Sequence, residues 1–325
     1  MEFIPLLVSL FFGFVPMFIL AAFVYWLDRY EKEPKILLGA AFFWGVIIAA
    51  GGAFIVNTTF GLGIYMFTGS EAAAETGTTS IVAPIVEEFL KGLAVLIVFL
   101  LFRREFDSIL DGIIYAGIVA LGFAATENSY YIYSFGYAEG GWTGLWFLVF
   151  VRDFLVAWQH PFYTAFTGIG LAVSRTNQNI LIKLIAPLVG YTVAVFTHAF
   201  HNTFGGLIGG VGGLAIGTLV DWFGWFLMLA FIIWMIIHER SIMQKQLREE
   251  VTNGLISASH YERALSPWTM SIAPFSGRSA MRFFQVCAEL AHKKEQFARH
   301  GDEKGNVAII ESLRRELSQL GPMVK

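Results

Sequence analysis

Ser80-Ile-Val-Ala-Pro84-Ile-Val-Glu87-Glu88-Phe-Leu-Lys91 opens a run that stays apolar as far as Phe102. A stretch of this length crosses the roughly 30 Å of bilayer hydrocarbon as a helix. Yet it carries three ionisable side chains in five residues, each costing roughly 2.5–3.5 kcal/mol inside a membrane on insertion scales. Composition around it decides the solvent. Of the 325 residues, 56% are hydrophobic, 14% are charged and 32 are Phe. Residues 1–237 hold 9 Lys/Arg and 15 Asp/Glu, whereas the last 88 hold 13 and 10. The chain therefore divides into a membrane-embedded region, 1–237, and a polar helical tail, 238–325.

Working outward from residue 80, apolar runs fall at 3–27, 36–66, 80–102, 110–133, 143–174, 180–206 and 215–237. The expected fold is all-α, a polytopic transmembrane helix bundle of seven to eight spans with a small cytoplasmic helical tail. Residues 143–174 are too long for one straight crossing and contain Arg152, Asp153, Gln159, His160 and Pro161. We read them as a short interfacial helix through Val151 and one crossing from about 152. Lys and Arg set orientation: Arg29, Lys32, Lys35, Arg103, Arg104, Arg175, Lys183 and Arg240 fall at alternate turns. Loops 68–79, 134–142 and 207–214 have none, the last within the Gly-rich run Gly205–Gly217. This places the N-terminus outside the cell membrane and the tail in the cytoplasm, with helices expected at 239–252, 279–299 and 305–319.

The net charge of -3 is spread over both regions, so no basic tract points to nucleic acid. Cys287, the one cysteine, excludes an intrachain disulfide and any cysteine metal cluster. Residues 1–25 lack a basic n-region and a small-residue cleavage site, so they read as a permanent span.

The ionisable groups gather at one depth. At 1.5 Å per residue, Glu88 lies about 12 Å below the outer surface, Glu127 about 9 Å, His160 about 12 Å, and His198 to Asn202 about 6–12 Å. Polar residues used only to pair helices need share no depth, so the convergence implies a site. Glu87 with Lys91, and His198 with Asn202, stand four apart and share helix faces. A carboxylate that takes a proton from water, beside imidazole and amide donors for a tetrahedral oxyanion, suits peptide hydrolysis without a serine, cysteine or cofactor.

Glu87-Glu88-x-x-Lys91, Phe123-x-x-x-Glu127-Asn128, His160 and His198-x-x-x-Asn202, in this order, resemble the motif set of the PrsW intramembrane proteases, over about residues 1–237. That family is related to the CAAX prenyl protease and bacteriocin-processing group, which has a histidine where Glu127 stands. The resemblance implies a glutamic-type endopeptidase. It would cut a single-span membrane protein, such as an anti-sigma factor, on its extracytoplasmic side and so start a stress response. It also implies that Glu87 and Glu88 activate water and that His198 and Asn202 hold the oxyanion. Glu127 and His160 are further catalytic candidates, with Lys91, Asn128 and His201 in support.

Two rivals remain open. His160, His198 and His201 could hold zinc in a metal-dependent intramembrane peptidase. Buried carboxylates and histidines also serve proton- or cation-coupled transporters. Arg152 with Asp153 reads as an interfacial ion pair, and Asp221 as a water-facing helix-end residue.

Overall fold

The computed structural model of the chain describes residues 3–103, 105–208, 210–302 and 305–324, which leaves Arg104 outside the described residues. They are helical and contain no strand. Five stretches are long and apolar enough to cross a membrane: Phe3–Leu27, Lys35–Thr68, Ile109–Thr176, Ile180–Phe204 and Gly212–Thr252. The third has 68 residues, about three times the length of one crossing. The helices fall into two compact units, Met1–Tyr25 with Glu33–Leu229, and Trp26–Lys32 with Ala230–Lys325.

In the first unit, helix α1 (Phe3–Leu27) is followed by α2 (Lys35–Phe43) and α3 (Ala50–Thr68), joined by a π-helical turn at Trp44–Ala49. Next come α4 (Glu71–Gly77), a second π turn at Thr78–Val82, and α5 (Ala83–Leu101). Helix α6 (Ile109–Tyr131) starts in a capping box, where Ser108 accepts from Asp111 N and Asp111 accepts from Ser108 N. A π turn at Ile132–Tyr137 leads to α7 (Ala138–Phe150), and another at Val151–Leu155 precedes α8 (Gln159–Thr176), α9 (Ile180–Ile208) and α10 (Gly210–Gln246).

Three expected outer loops are mostly helical. In 68–79 only Gly69 and Ser70 lie outside helices: Gly69 takes a left-handed conformation (φ 68°), and the Ser70 hydroxyl caps α4 by accepting from Ala73 N. Residues 134–142 are a π turn running into α7, bent at Gly141 (φ 59°). Helix α9 reaches Ile208 and α10 starts at Gly210, so the described residues of 207–214 are helical, and residue 209 lies outside the described residues. Helix through 71–82 removes Ser80 as a surface marker, so depths counted from it lose their reference.

Helix α6 sits at the centre of this unit, buried at Leu110 and from Gly112 to Ala125. Glycines let its neighbours approach closely. A Cβ on Gly168 of α8 would overlap the Gly112 carbonyl oxygen of α6, and one on Gly190 of α9 would overlap the Phe166 carbonyl of α8. Outward faces stay apolar and exposed, as at Ile19, Leu188 and Phe223, which suits lipid as solvent.

The second unit has its own core. Phe283, Phe284, Cys287 and Leu290 of α14 (Arg278–His300) pack with Leu313 and Leu317 of α15 (Asn306–Leu320), and with Met243, Leu247 and Tyr30. Short helices α11 (Arg248–Thr252), α12 (Ala258–Ala264) and α13 (Thr269–Ile272) complete it. Glu250, 1% exposed, is held by Lys294 at 2.6 Å and Arg314 at 2.7 Å.

Candidate active site

Successive turns of α5 present Glu87, Glu88 and Lys91, all buried. Glu88 is saturated. Its Oε1 accepts from Lys91 Nζ at 2.6 Å and His198 Nδ1 at 3.0 Å, and its Oε2 accepts from the Thr164 hydroxyl at 2.8 Å. Glu87 is not: Asn57 Nδ2 donates to its Oε1 at 3.2 Å, while its buried Oε2 has no hydrogen-bond partner among the described residues. That oxygen lies 3.9 Å from Lys91 Nζ and 3.9 Å from His198 Nε2.

His160 stands in the first turn of α8, not eight residues into a crossing that begins near Arg152. The π turn at Val151–Leu155 and the non-helical residues before Gln159 break the chain there, so α8 begins at the site itself. Non-helical backbone within a membrane region is tolerated where protein encloses it, and Gln159, His160 and Pro161 at the start of α8 are all buried. Pro161, lacking an N–H, suits this first turn. His160 Nε2 meets Glu127 Oε2 at 2.8 Å and its Nδ1 meets Lys91 Nζ at 3.1 Å.

Hydrogen-bond logic fixes the tautomers. A carboxylate only accepts, so His160 carries its proton on Nε2 toward Glu127 and accepts from Lys91 at Nδ1. His198 likewise donates from Nδ1 to Glu88, which leaves the Nε2 lone pair toward Glu87. The Phe123 ring supports the cluster, 4.2 Å under Lys91 Nζ and 5.0 Å from the His160 ring. Tyr163 stacks on His198 at 4.9 Å.

Arg152 corrects the sequence expectation. Its partner is not Asp153: the guanidinium forms an ion pair with Glu127, donates from Nε to Asn128 Oδ1 at 2.8 Å and covers the Tyr131 ring at 4.5 Å. Asn128 in turn donates to Asp153 at 3.3 Å. Adjacency in sequence suggested the pair, but the π turn carries Arg152 toward α6.

Two other residues lie apart from this cluster's hydrogen bonds. Asn202 donates from Nδ2 to the Thr79 carbonyl at 2.9 Å, joining α9 to the turn before α5. His201 pairs with Asp221 at 2.8 Å, and Gln159 Nε2 contacts both. Asp221 is buried, not water-facing. The zinc set His160, His198 and His201 is therefore not the one the fold assembles: Glu87, His160 and His198 bring one ligand atom each within 4.8 Å of one another. Sequence reasoning also missed Thr164 and Asn57. Thr164 stands four residues after His160 and so on its face, and Asn57 is a lone amide in an apolar run; either spacing could have marked them.

A family model described as "PrsW family intramembrane metalloprotease" matches residues 33–236. Among curated relatives, the "Protease PrsW" of Geobacillus kaustophilus (strain HTA426) is 33% identical over 124 residues, 38% of this chain and 52% of that one. The "Protease PrsW" of Clostridioides difficile (strain 630) is 37% identical over 108 residues, 33% of this chain and 43% of that protein. That of Bacillus subtilis (strain 168) is 27% identical over 182 residues, 54% of this chain and 75% of its own length. The chain thus spans about half the length of the first two. No solved structure matches it. With the matched segment enclosing every residue of the buried cluster, the chain belongs to the PrsW family.

Proposed function

We propose that this chain is an intramembrane endopeptidase in which Glu87 is the base that activates water. The observation that carries this is the pair of bare acceptors, Glu87 Oε2 and His198 Nε2, 3.9 Å apart and facing each other. A water between them donates to both and turns its lone pairs on a peptide carbonyl. Glu87 takes one proton as the carbon–oxygen bond forms, then returns it to the amide nitrogen as the carbon–nitrogen bond breaks. Lys91 has N–H groups committed to Glu88 and His160, and its remaining donor suits the carbonyl oxygen as charge develops. The geometry thus supports a different division of labour from the one the family resemblance implied. Glu88 positions Lys91 and His198 and does not attack; Asn202, committed to Thr79, braces the helix before α5.

The donor set also suits a metal, and the matching family's description favours that second reading. Glu87, His160 and His198 are of the right types for Zn²⁺, and each histidine has its other nitrogen on a carboxylate, Glu88 or Glu127, as metal-binding histidines commonly do. A bound Zn²⁺ would supply Lewis-acid activation of the water. Chelator treatment with the metal content measured separates the two: full cleavage without stoichiometric zinc supports the carboxylate mechanism.

The substrate we propose is a single-span membrane protein of the anti-sigma factor kind, cut on its extracytoplasmic side. The Lys/Arg distribution, read as N-terminus outside and tail in the cytoplasm, supports that side. Co-expression with candidate substrates, followed by mapping of the cut, tests it. Glu87→Gln should abolish cleavage while the protein still inserts and folds; normal cleavage by this variant would overturn the assignment.

A further inference from the structure

In the second unit an apolar face stands open. Trp268, Ile272 and Phe275 follow one another at helical spacings of four and three along α13 and the 3-10 turn Ala273–Ser276. They are 54%, 57% and 90% exposed, while the aromatic residues Phe283 and Phe284 of the same unit are buried in its core.

Two independent features indicate what covers this face. Trp268 lies 5.8 Å from Trp26, and the Arg29 guanidinium sits 3.2 Å from the Trp26 ring and 4.7 Å from the Trp268 ring. Arg29 also donates to the Pro267 carbonyl at 3.5 Å and Ser271 Oγ at 3.4 Å. Trp26 belongs to the last turn of α1, the apolar helix Phe3–Leu27, and tryptophan and arginine at the end of such a helix mark the headgroup level. The apolar face is thus tied side by side to a residue at that level. Charge is the second feature. From Arg263 to Ala288 the sequence holds no carboxylate; Arg282 is paired with Glu289 and Glu316, while Arg278 is exposed just beyond Phe275. An exposed aromatic face bordered by an exposed arginine, Arg278, matches an anionic lipid surface.

We propose that Trp268, Ile272 and Phe275 form an interfacial anchor that inserts into the headgroup–acyl boundary of the bilayer. The segment would pin the polar unit to the membrane beside the end of α1. This rests on residues away from the peptidase cluster and stands or falls independently of it.

The test uses the full chain in vesicles of phosphatidylcholine and phosphatidylglycerol. A fluorophore is placed at Phe275→Cys, with Asn253→Cys as an exposed control in the same unit; the native Cys287 is buried and stays unlabelled. Lipids with brominated acyl chains should quench the label at 275 at least about twofold more than at 253, and aqueous iodide should show the reverse. Iodide quenching at 275 equal to that at 253, without lipid quenching, would overturn the anchor. Protection of 275 from both quenchers would overturn it too, because protein would then cover the face.

Discussion

Two neighbouring glutamates in one helix turn have opposite surroundings, and this contrast gives the sharpest predictions at the residue scale. Glu88 accepts three hydrogen bonds, two of them from Lys91 and His198, so Glu88→Ala strands a buried ammonium. Breaking a buried pair this way costs about 3–5 kcal/mol, and thermal unfolding in detergent should register it as a clear loss. Glu87→Gln keeps the Asn57 contact through its amide oxygen and replaces an oxygen with no hydrogen-bond partner among the described residues and only 3.9 Å contacts to Lys91 and His198, so its unfolding should stay within about 1 kcal/mol of wild type while cleavage is lost. Equal destabilisation by both would contradict the division of roles. Arg152 is the second test. One guanidinium serves both Glu127 and Asn128, a fork that lysine cannot copy. Arg152→Lys should therefore recover part of the activity that Arg152→Ala loses, by keeping the charge beside Glu127 but not the Asn128 bond. Cleavage by the alanine variant at the wild-type rate would show that Glu127 needs no counter-charge to hold His160.

At the scale of elements, catalytic geometry depends on how closely α8 lies against α6 and α9. Gly168 permits the first contact, where any Cβ meets the Gly112 carbonyl. Gly168→Ala should force the two helices apart, at a cost of about 1–3 kcal/mol typical of overpacking. It should also reduce cleavage, because His160 rides on α8; unchanged stability and activity would show that the interface yields. The helices themselves were legible. Apolar runs and the Ser108/Asp111 capping pair announce them, because length and local hydrogen bonding need only neighbours in sequence. The π turns at Trp44–Ala49, Thr78–Val82, Ile132–Tyr137 and Val151–Leu155 were not. Their extra residue per turn answers to packing against other helices, which no local pattern records.

Across the whole molecule, the polar unit has a core that should hold without the peptidase chemistry, and acid should weaken it. Burial pushes the Glu295 carboxyl up, but hydrogen bonds from Gln246 and Arg299 outweigh this and hold it down at about 2, against an ordinary 4.5. A depressed carboxylate contributes stability that is present above the unfolded value and lost as pH falls through the folded one. Glu295→Gln should thus unfold earlier than wild type near neutral pH, by a small margin because its cationic partners Lys245 and Arg299 lie largely in solvent, where such pairs are screened. The two midpoints should converge as the pH approaches about 2, followed by tryptophan fluorescence. A difference independent of pH would assign the effect to packing.

Sequence by itself determined that the chain is a helical membrane protein. It also marked Glu87, Glu88, Lys91, Glu127, His160 and His198 as groups needing explanation, because charge inside an apolar run is costly wherever the helix packs. Which group bonds to which was decided only by tertiary structure. Glu88 could be saturated and Glu87 left bare only once α8 and α9 had brought Thr164 and His198 against α5. Likewise Arg152 turned to Glu127, and His201 and Asn202 turned away, because helix rotation and the π turns aim side chains over distances that spacing along one helix does not encode.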